Sequence, residues 1–170
     1  MIIAETERLI ISEFTIEDAP FFLELANTPN ALKYIGDKNL KSIEDAEKYL
    51  TNKTIKSYHD FNFGFYKLEL KEEKNKSIGT CGLAKRRELE DVDLGFAFLP
   101  EYEGRGFGSE SSKEMMTLAK QTFKLDKLIA ITVPYNKNSI KLLEKLGFAC
   151  EKRIKPFEDD EELLLFAKKL

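Results

Sequence analysis

"PEYEGRGFGSES" spans Pro100 to Ser111 and sets glycines at positions 104, 106 and 108, between an apolar run ending at Leu99 and an amphipathic run beyond. Glycine weakens the interior of regular elements, so an alternating run marks backbone that turns sharply or lies bare against another group. Upstream, "DVDLGFAFL" reads as a strand, and downstream Met115, Leu118, Ala119 and Thr122, with Met116 and Phe123 alongside, form one face of a helix. The stretch is thus a strand-to-helix turn, with the helix opening at about Gly106 to Gly108. The first amides of a helix lack intrahelical partners and carry the positive end of its dipole, which suits a phosphate; Arg105 can add a charge-assisted contact. A glycine-rich turn with no ligand satisfies the same spacing, because short glycine motifs are weak signals.

Two nucleotide-binding motifs fail here. The dinucleotide fingerprint needs its third glycine one residue later and an acidic residue ending the next strand, whereas Asp126 precedes that strand. The Gly-Lys-Ser/Thr signature of a phosphate loop is absent.

Working outward, "RLIISEF" reads as a strand, and Thr15 with the Glu17-Asp18 pair opens a helix through "DAPFFLELAN". Ser42 to Tyr58 places Ile43, Ala46, Leu50, Thr54 and Ile55 at mostly helical spacing, with Ser42 as N-cap and Asp45 three residues on. "FNFGFYKLEL", "SIGTCGLAK" and "DVDLGFAFL", separated by charged turns, form an antiparallel meander of three strands. After the glycine helix, "KLIAITV" is a buried strand, Ile140 to Leu146 a helix closed by Gly147, and "FACEKRI" and "ELLLFAKKL" are two final strands. Seven strands and four helices result, in one domain over residues 1–170, a length suited to a single core.

The net charge of -3 is a balance of 27 basic against 30 acidic residues, which argues against general nucleic-acid or acidic-membrane binding. One histidine, His59, and two distant cysteines, Cys81 and Cys150, offer no metal-ligand spacing, so no metal is expected. "MIIAETERL" carries acids where a secretory leader would be basic, and no apolar run approaches membrane length. A cytoplasmic protein with reduced thiols is the expectation.

The strand "LGFAFLPEY" leading into "EGRGFGSE", together with "NKNSIKLLEKLGF", resembles the GNAT superfamily of N-acetyltransferases. "ETERLIISEFTIEDAPFFLELA" and "IGTCGL" look more closely like its Rim-type branch, which includes enzymes acetylating ribosomal-protein N-termini. The resemblance spans nearly the whole chain. It implies an α/β fold with a mixed, mostly antiparallel seven-stranded sheet, splayed between the fourth and fifth strands, with four flanking helices and acetyl coenzyme A in the opening. Glu103, Gly104, Arg105, Gly106, Phe107 and Gly108 match the family's pyrophosphate loop, although Glu103 stands where Gln or Arg is usual. A carboxylate beside pyrophosphate is repulsive unless it turns away. Phe96, Ala97 and Phe98 match the strand whose main chain pairs with the pantetheine arm, and they are equally suited to a core strand.

Acetyl transfer from a thioester to an amine needs a neutral amine, stabilisation of the developing oxyanion and a proton for the departing thiolate. Asn136 to Phe148 matches the family's second block, but Leu143 stands where a tyrosine often supplies that proton. Ser139, on the opening turn of the same helix, is the alternative acid, and Asn136 a coenzyme contact; each also suits helix capping. Tyr34 matches an aromatic that borders the acceptor pocket in the Rim-type branch, with packing as its other role. Asp93, Glu101 and Glu103 are candidate bases or solvated surface acids. Cys81 with His59 has no recognisable nucleophile motif, and a buried hydrophobe is the alternative for Cys81. The implied acceptor is a primary amine, with a protein N-terminal α-amine first and an amino sugar, polyamine or aminoglycoside second; coenzyme binding without turnover is a third reading. Either a monomer or a homodimer is compatible with this chain.

Overall fold

The computed structural model describes residues 1–170. Eight strands form one sheet: β1 (Ile2–Glu5), β2 (Leu9–Glu13), β3 (Phe65–Leu70), β4 (Lys76–Ala84), β5 (Asp93–Phe98), β6 (Lys127–Thr132), β7 (Ala149–Ile154) and β8 (Leu163–Lys169). Their spatial order is β1-β2-β3-β4-β5-β6-β8-β7. Neighbours run antiparallel throughout except β5 and β6. The expected count of seven strands is corrected by β1, which folds back on β2 through the turn at Thr6–Leu9, where the Thr6 amide donates to the Leu9 carbonyl at 2.9 Å. The meander is as expected, and β3 shows why: Tyr66, Leu68 and Leu70 are buried while Phe65, Lys67 and Glu69 are half-buried, the period of two that puts one face on a core.

The helices are α1 (Ala19–Ala26), α2 (Ile43–Tyr49), α3 (Lys56–Phe61), α4 (Phe107–Gln121) and α5 (Lys137–Lys145). A π-helical turn, Leu50–Ile55, runs α2 into α3, so one helical body extends three residues beyond the expected Tyr58. Its start is the expected one: the Ser42 side chain accepts from the Asp45 amide at 3.1 Å. Asn62, in the left-handed conformation at φ 66°, ends it. Phe14, Phe22, Ala46 and Leu50 bury α1 against α2, while α4 lays Met115 and Ala119 on Leu68, Ile78 and Leu83 of the sheet in the main core. Complete burial of each of the Leu, Ile, Met and Phe side chains among these stabilises the fold by about 1.5–3 kcal/mol.

The functional consequence lies at the one parallel junction. β5 and β6 are in register only at Asp93 and Ile129, with the Ile129 amide on the Val92 carbonyl at 3.0 Å. Beyond that pair the strands part. The gap opens toward their C-terminal ends, where β5 leads into the glycine run and β6 into α5, as expected for a sheet splayed between these two strands. No helix is long and apolar enough to cross a membrane.

Candidate functional site

Both positive-φ glycines of the run sit where the backbone must reverse: Gly104 at φ 70° and Gly106 at φ 85°, the latter being the N-cap of α4. Gly108 has another reason, since a Cβ there would lie 2.9 Å from Cδ2 of Leu142, so its smallness lets the start of α4 press on α5. The first bond of the helix runs from the Glu110 amide to the Gly106 carbonyl at 3.0 Å. Six consecutive amides, from Gly104 to Ser109, consequently donate to no other group of the chain. They form a row of donors at a helix N-terminus, beside the opened sheet, with the chemistry a pyrophosphate requires.

A clamp from the far end of the chain holds this row. Glu110 accepts from the Thr6 hydroxyl at 2.6 Å, the Arg8 amide at 2.9 Å and Nε of Arg8 at 2.7 Å. Burial raises the Glu110 carboxyl, and these donors outweigh it, leaving its pKa below the usual carboxylate value. Arg8 then donates through Nη1 to the Arg105 carbonyl at 3.0 Å and lies 4.1 Å over the Phe107 ring. The Arg105 side chain faces the β3–β4 turn, 3.7 Å from Glu72. Glu103 is engaged as well: its Oε2 accepts from the Asn30 amide group at 2.7 Å, which fixes the carboxylate away from a fully free position.

Along β5, Phe96, Ala97 and Phe98 face Cys81, Thr80 and Gly79 of β4. Strand bonding alternates, and the Val92 carbonyl points to β6, so the main-chain groups of Phe96 and Phe98 point into the gap while those of Ala97 point to β4. On the opposite wall, Asn136 caps α5 by accepting from the Ser139 amide at 3.2 Å. Capping thus falls to Asn136, and the half-buried Ser139 has no hydrogen bond from its hydroxyl to the rest of the chain. Leu143 is 1% exposed in the main core.

The mouth of the gap is bridged by the turn Ala31–Ile35. Asn30 reaches Glu103 on one side, and Tyr34 meets Tyr135 on the other, ring centroids 5.9 Å apart. The Tyr135 hydroxyl donates to Glu161 at 3.0 Å, tying in the β7–β8 loop. Tyr135, Glu161, Asn30, Arg8 and Glu110 belong to the site through contacts that no sequence motif marks. Their partners lie 26 to 104 positions away, and no local spacing signals such pairs.

Asp93 departs from the solvated reading. It is 2% exposed, at the closed end of the gap, and its Oδ1 accepts from Nε of Arg86 at 3.1 Å. Burial raises its pKa and Arg86 opposes the rise. Glu101 is exposed in the turn Pro100–Tyr102. Exposed His59 on α3 and buried Cys81, whose Sγ lies 3.9 Å from the Ser112 hydroxyl, form no pair. Burial pushes the Cys81 thiol up to about 11, which makes it a packing group.

A sheet opened at one parallel junction, with a row of free amides beyond one strand and a capped helix beyond the other, defines an acyltransferase-type α/β scaffold. The family model described as "Acetyltransferase (GNAT) domain" matches residues 8–149, and the chain belongs to that family of acetyltransferases. The chain is 27% identical over 150 residues to an uncharacterized N-acetyltransferase, YoaA, of Bacillus subtilis, covering 88% of this chain and 84% of that protein. Among solved structures, RimL, a ribosomal L7/L12 α-N-protein acetyltransferase in complex with coenzyme A, superposes with a TM-score of 0.84 at 15% identity, over 100% of this chain and 98% of that one. Spermidine N-acetyltransferase from Vibrio cholerae, in complex with CoA and spermine, gives 0.79 at 18% identity, covering 96% of each chain. At these identities the likeness shows the fold.

Proposed function

We propose that this chain transfers an acetyl group from acetyl coenzyme A directly to an α-amine, with a protein N-terminus of the Rim type as acceptor. The row of unpartnered amides from Gly104 to Ser109 carries the donor half of this reading. These amides would hold the pyrophosphate. The main-chain groups of Phe96 and Phe98 would receive the pantetheine arm, with an amide beside the thioester carbonyl where negative charge develops. The coenzyme supplies the activated acyl group. The Ser139 hydroxyl, which donates to no other group of the chain, would pass a proton to the departing sulfur and regain one from the attacking amine, which loses an N–H proton as the amide forms, and Asn136 would set the helix turn that carries it.

The choice of an α-amine follows from the carboxylates. Asp93 accepts from Arg86 and Glu103 from Asn30, so both carboxylates are already engaged within the chain. An α-amine, with a reference pKa near 8, is appreciably neutral at pH 7, whereas a lysine-type amine near 10.4 needs far more help. Proximity then accounts for much of the rate. The acidic run Glu158 to Glu162 beside Tyr135 favours a polyamine as the second reading, although Asp160 pairs with Lys155 at 3.8 Å, Glu162 with Arg153 and Glu161 with Tyr135, which leaves Glu158 and Asp159 without an ion pair. Release of coenzyme A from acetyl coenzyme A, followed with peptide N-termini against polyamines and amino sugars, tests the proposal. Turnover of peptides supports it, turnover of polyamines alone replaces the acceptor, and coenzyme binding without turnover of any amine leaves a binding module.

A further inference from the structure

Phe65 opens β3 on the face of the sheet opposite α4. Tyr66, Leu68 and Leu70 turn into the main core with α4, whereas Phe65, Lys67 and Glu69 turn the other way. Lys67 meets Asp18, the residue that caps α1, at 2.9 Å, so this face looks toward α1 and the Ala31–Ile35 turn that follows it at the mouth of the gap. Register sets Phe65 beside Gly82 of β4, and Gly82 beside Gly95 of β5. A Cβ at Gly82 would run into the backbone of Gly64 and Phe65, and one at Gly95 would lie 2.9 Å from both Cε1 and Cζ of the Phe65 ring. The ring therefore crosses β4 and brings its tip to β5, the strand that borders the gap. Only glycine at 95 leaves room for it.

Despite this seat, Phe65 is only half-buried. It packs on none of the three hydrophobic clusters, and its ring pairs with no other aromatic. Gly95, Phe96 and Ala97 are half-buried too, beside the opened junction. A large apolar ring fixed on a glycine floor and left partly wet gains stability when another apolar group covers it. The neighbouring row offers no free charge: Lys67 is taken by Asp18, and the Thr80 hydroxyl donates to the Tyr66 carbonyl at 2.7 Å. Three covalent bonds along Gly95 separate its Cβ position from the Phe96 amide, which puts Cε1 of the ring no more than about 7 Å from that amide. The attacking amine comes to the carbonyl held there, and a peptide's first side chain branches one carbon from its α-amine, within reach of the ring. The second side chain starts about 3.8 Å farther along the chain.

We infer that Phe65 receives the side chain of the acceptor's first residue and selects an apolar one of leucine or methionine size over a small polar one. The inference rests on the reading of the chain as an acetyltransferase of N-terminal amines. Its test follows coenzyme A release with C-terminally amidated peptides that differ only in Leu, Met, Ala or Ser as first residue, with spermidine alongside. The Leu peptide is expected to exceed the Ser peptide at least about tenfold in kcat/KM. Phe65→Ala should reduce that ratio to below about threefold while coenzyme affinity is retained, and Phe65→Leu should keep most of it. Phe65→Thr, which suits a strand, repeats the test should the alanine variant unfold. Equal rates for the Leu and Ser peptides, or a ratio unmoved by loss of the ring, would overturn the inference and leave the acetyltransferase reading standing. Turnover of spermidine but of no peptide, or of no amine at all, ends the N-terminal reading instead, and fluorescence anisotropy of C-terminally labelled peptides on the coenzyme A-loaded protein then decides. A Leu peptide bound at least about tenfold more tightly than the Ser peptide, with the difference lost in Phe65→Thr, supports the inference; equal binding, or none, overturns it.

Discussion

Replacing Gly106 by valine should separate coenzyme binding from folding. The residue sits at φ 85°, ψ 1°, and a β-branched side chain is strained there by about 1–3 kcal/mol. Space is a lesser obstacle, because a Cβ would meet only Nη2 of Arg8, at 3.3 Å, the end of a flexible side chain. The loop has two responses. If it keeps its conformation, stability falls, and at about 2–4 °C per kcal/mol for a chain of this size Tm drops by roughly 2–12 °C. If it relaxes, the amide row from Gly104 to Ser109 loses its direction. Losing one or two charge-assisted hydrogen bonds of about 1.5–3 kcal/mol each raises the Kd for acetyl coenzyme A by roughly tenfold to about 20,000-fold. Calorimetric titration and thermal unfolding on the same samples distinguish these responses. Gly106→Asn is the control, since asparagine adopts the left-handed region readily and should keep most of the affinity. Coenzyme affinity within twofold of the parent in the valine variant, with Tm unchanged, would refute both the strain and the assignment of the loop.

The other expectations concern the supports of the site. Glu110→Gln should weaken coenzyme binding without touching the ligand, because Arg8 would lose its anchor and with it the Arg105 carbonyl; an unchanged Kd by calorimetry would remove the clamp from the account. Ser139→Ala should lower kcat by at least about tenfold with little change in coenzyme affinity, whereas Asn136→Ala should lower Tm by a few degrees through loss of an N-cap contribution of about 1 kcal/mol; equal kcat in the first would end the proposed acid role of Ser139. Leu143→Tyr, which restores the family's usual residue, should destabilise by about 1–3 kcal/mol in urea unfolding through overpacking of a core position. Burial pushes the Cys81 thiol from 9.0 to about 11, so its contribution to stability is complete below pH 9 and is lost as pH rises toward 11, by about 1.4 kcal/mol per unit. Alkaline urea titrations of the parent and Cys81→Ala should show that slope flattened in the variant.

Local rules made most of the scaffold legible. The helical face through Met115 and Ala119, the Ser42 cap, the alternation in β3 and the left-handed glycines at 104 and 106 all depend on residues within a few positions of one another. β1 escaped because it is four residues long, half-exposed, and followed by charged residues that resemble a free terminus. The burial of Asp93 is hidden from the sequence for a different reason. Its partner Arg86 stands in "RRELED", which reads as a solvated turn, and only the tertiary packing of the β4–β5 loop sets that half-exposed guanidinium against the buried Asp93. The clamp on the amide row joins residues 97 to 104 positions apart, and the bridge across the mouth joins Asn30 to Glu103, 73 positions away. Charged and polar side chains at such separations carry no periodic signal, since their pairing is set by where the sheet order brings loops together.

The central claim is that the amides beyond β5 receive the coenzyme. At 19.6 kDa the protein suits amide-resolved NMR, and titration with coenzyme A tests the claim residue by residue. The largest shifts are expected at Gly104 to Ser109, with a second group at Phe96 and Phe98 across the opened sheet. Saturable binding whose shifts bypass these residues, or no binding at millimolar coenzyme, would contradict it.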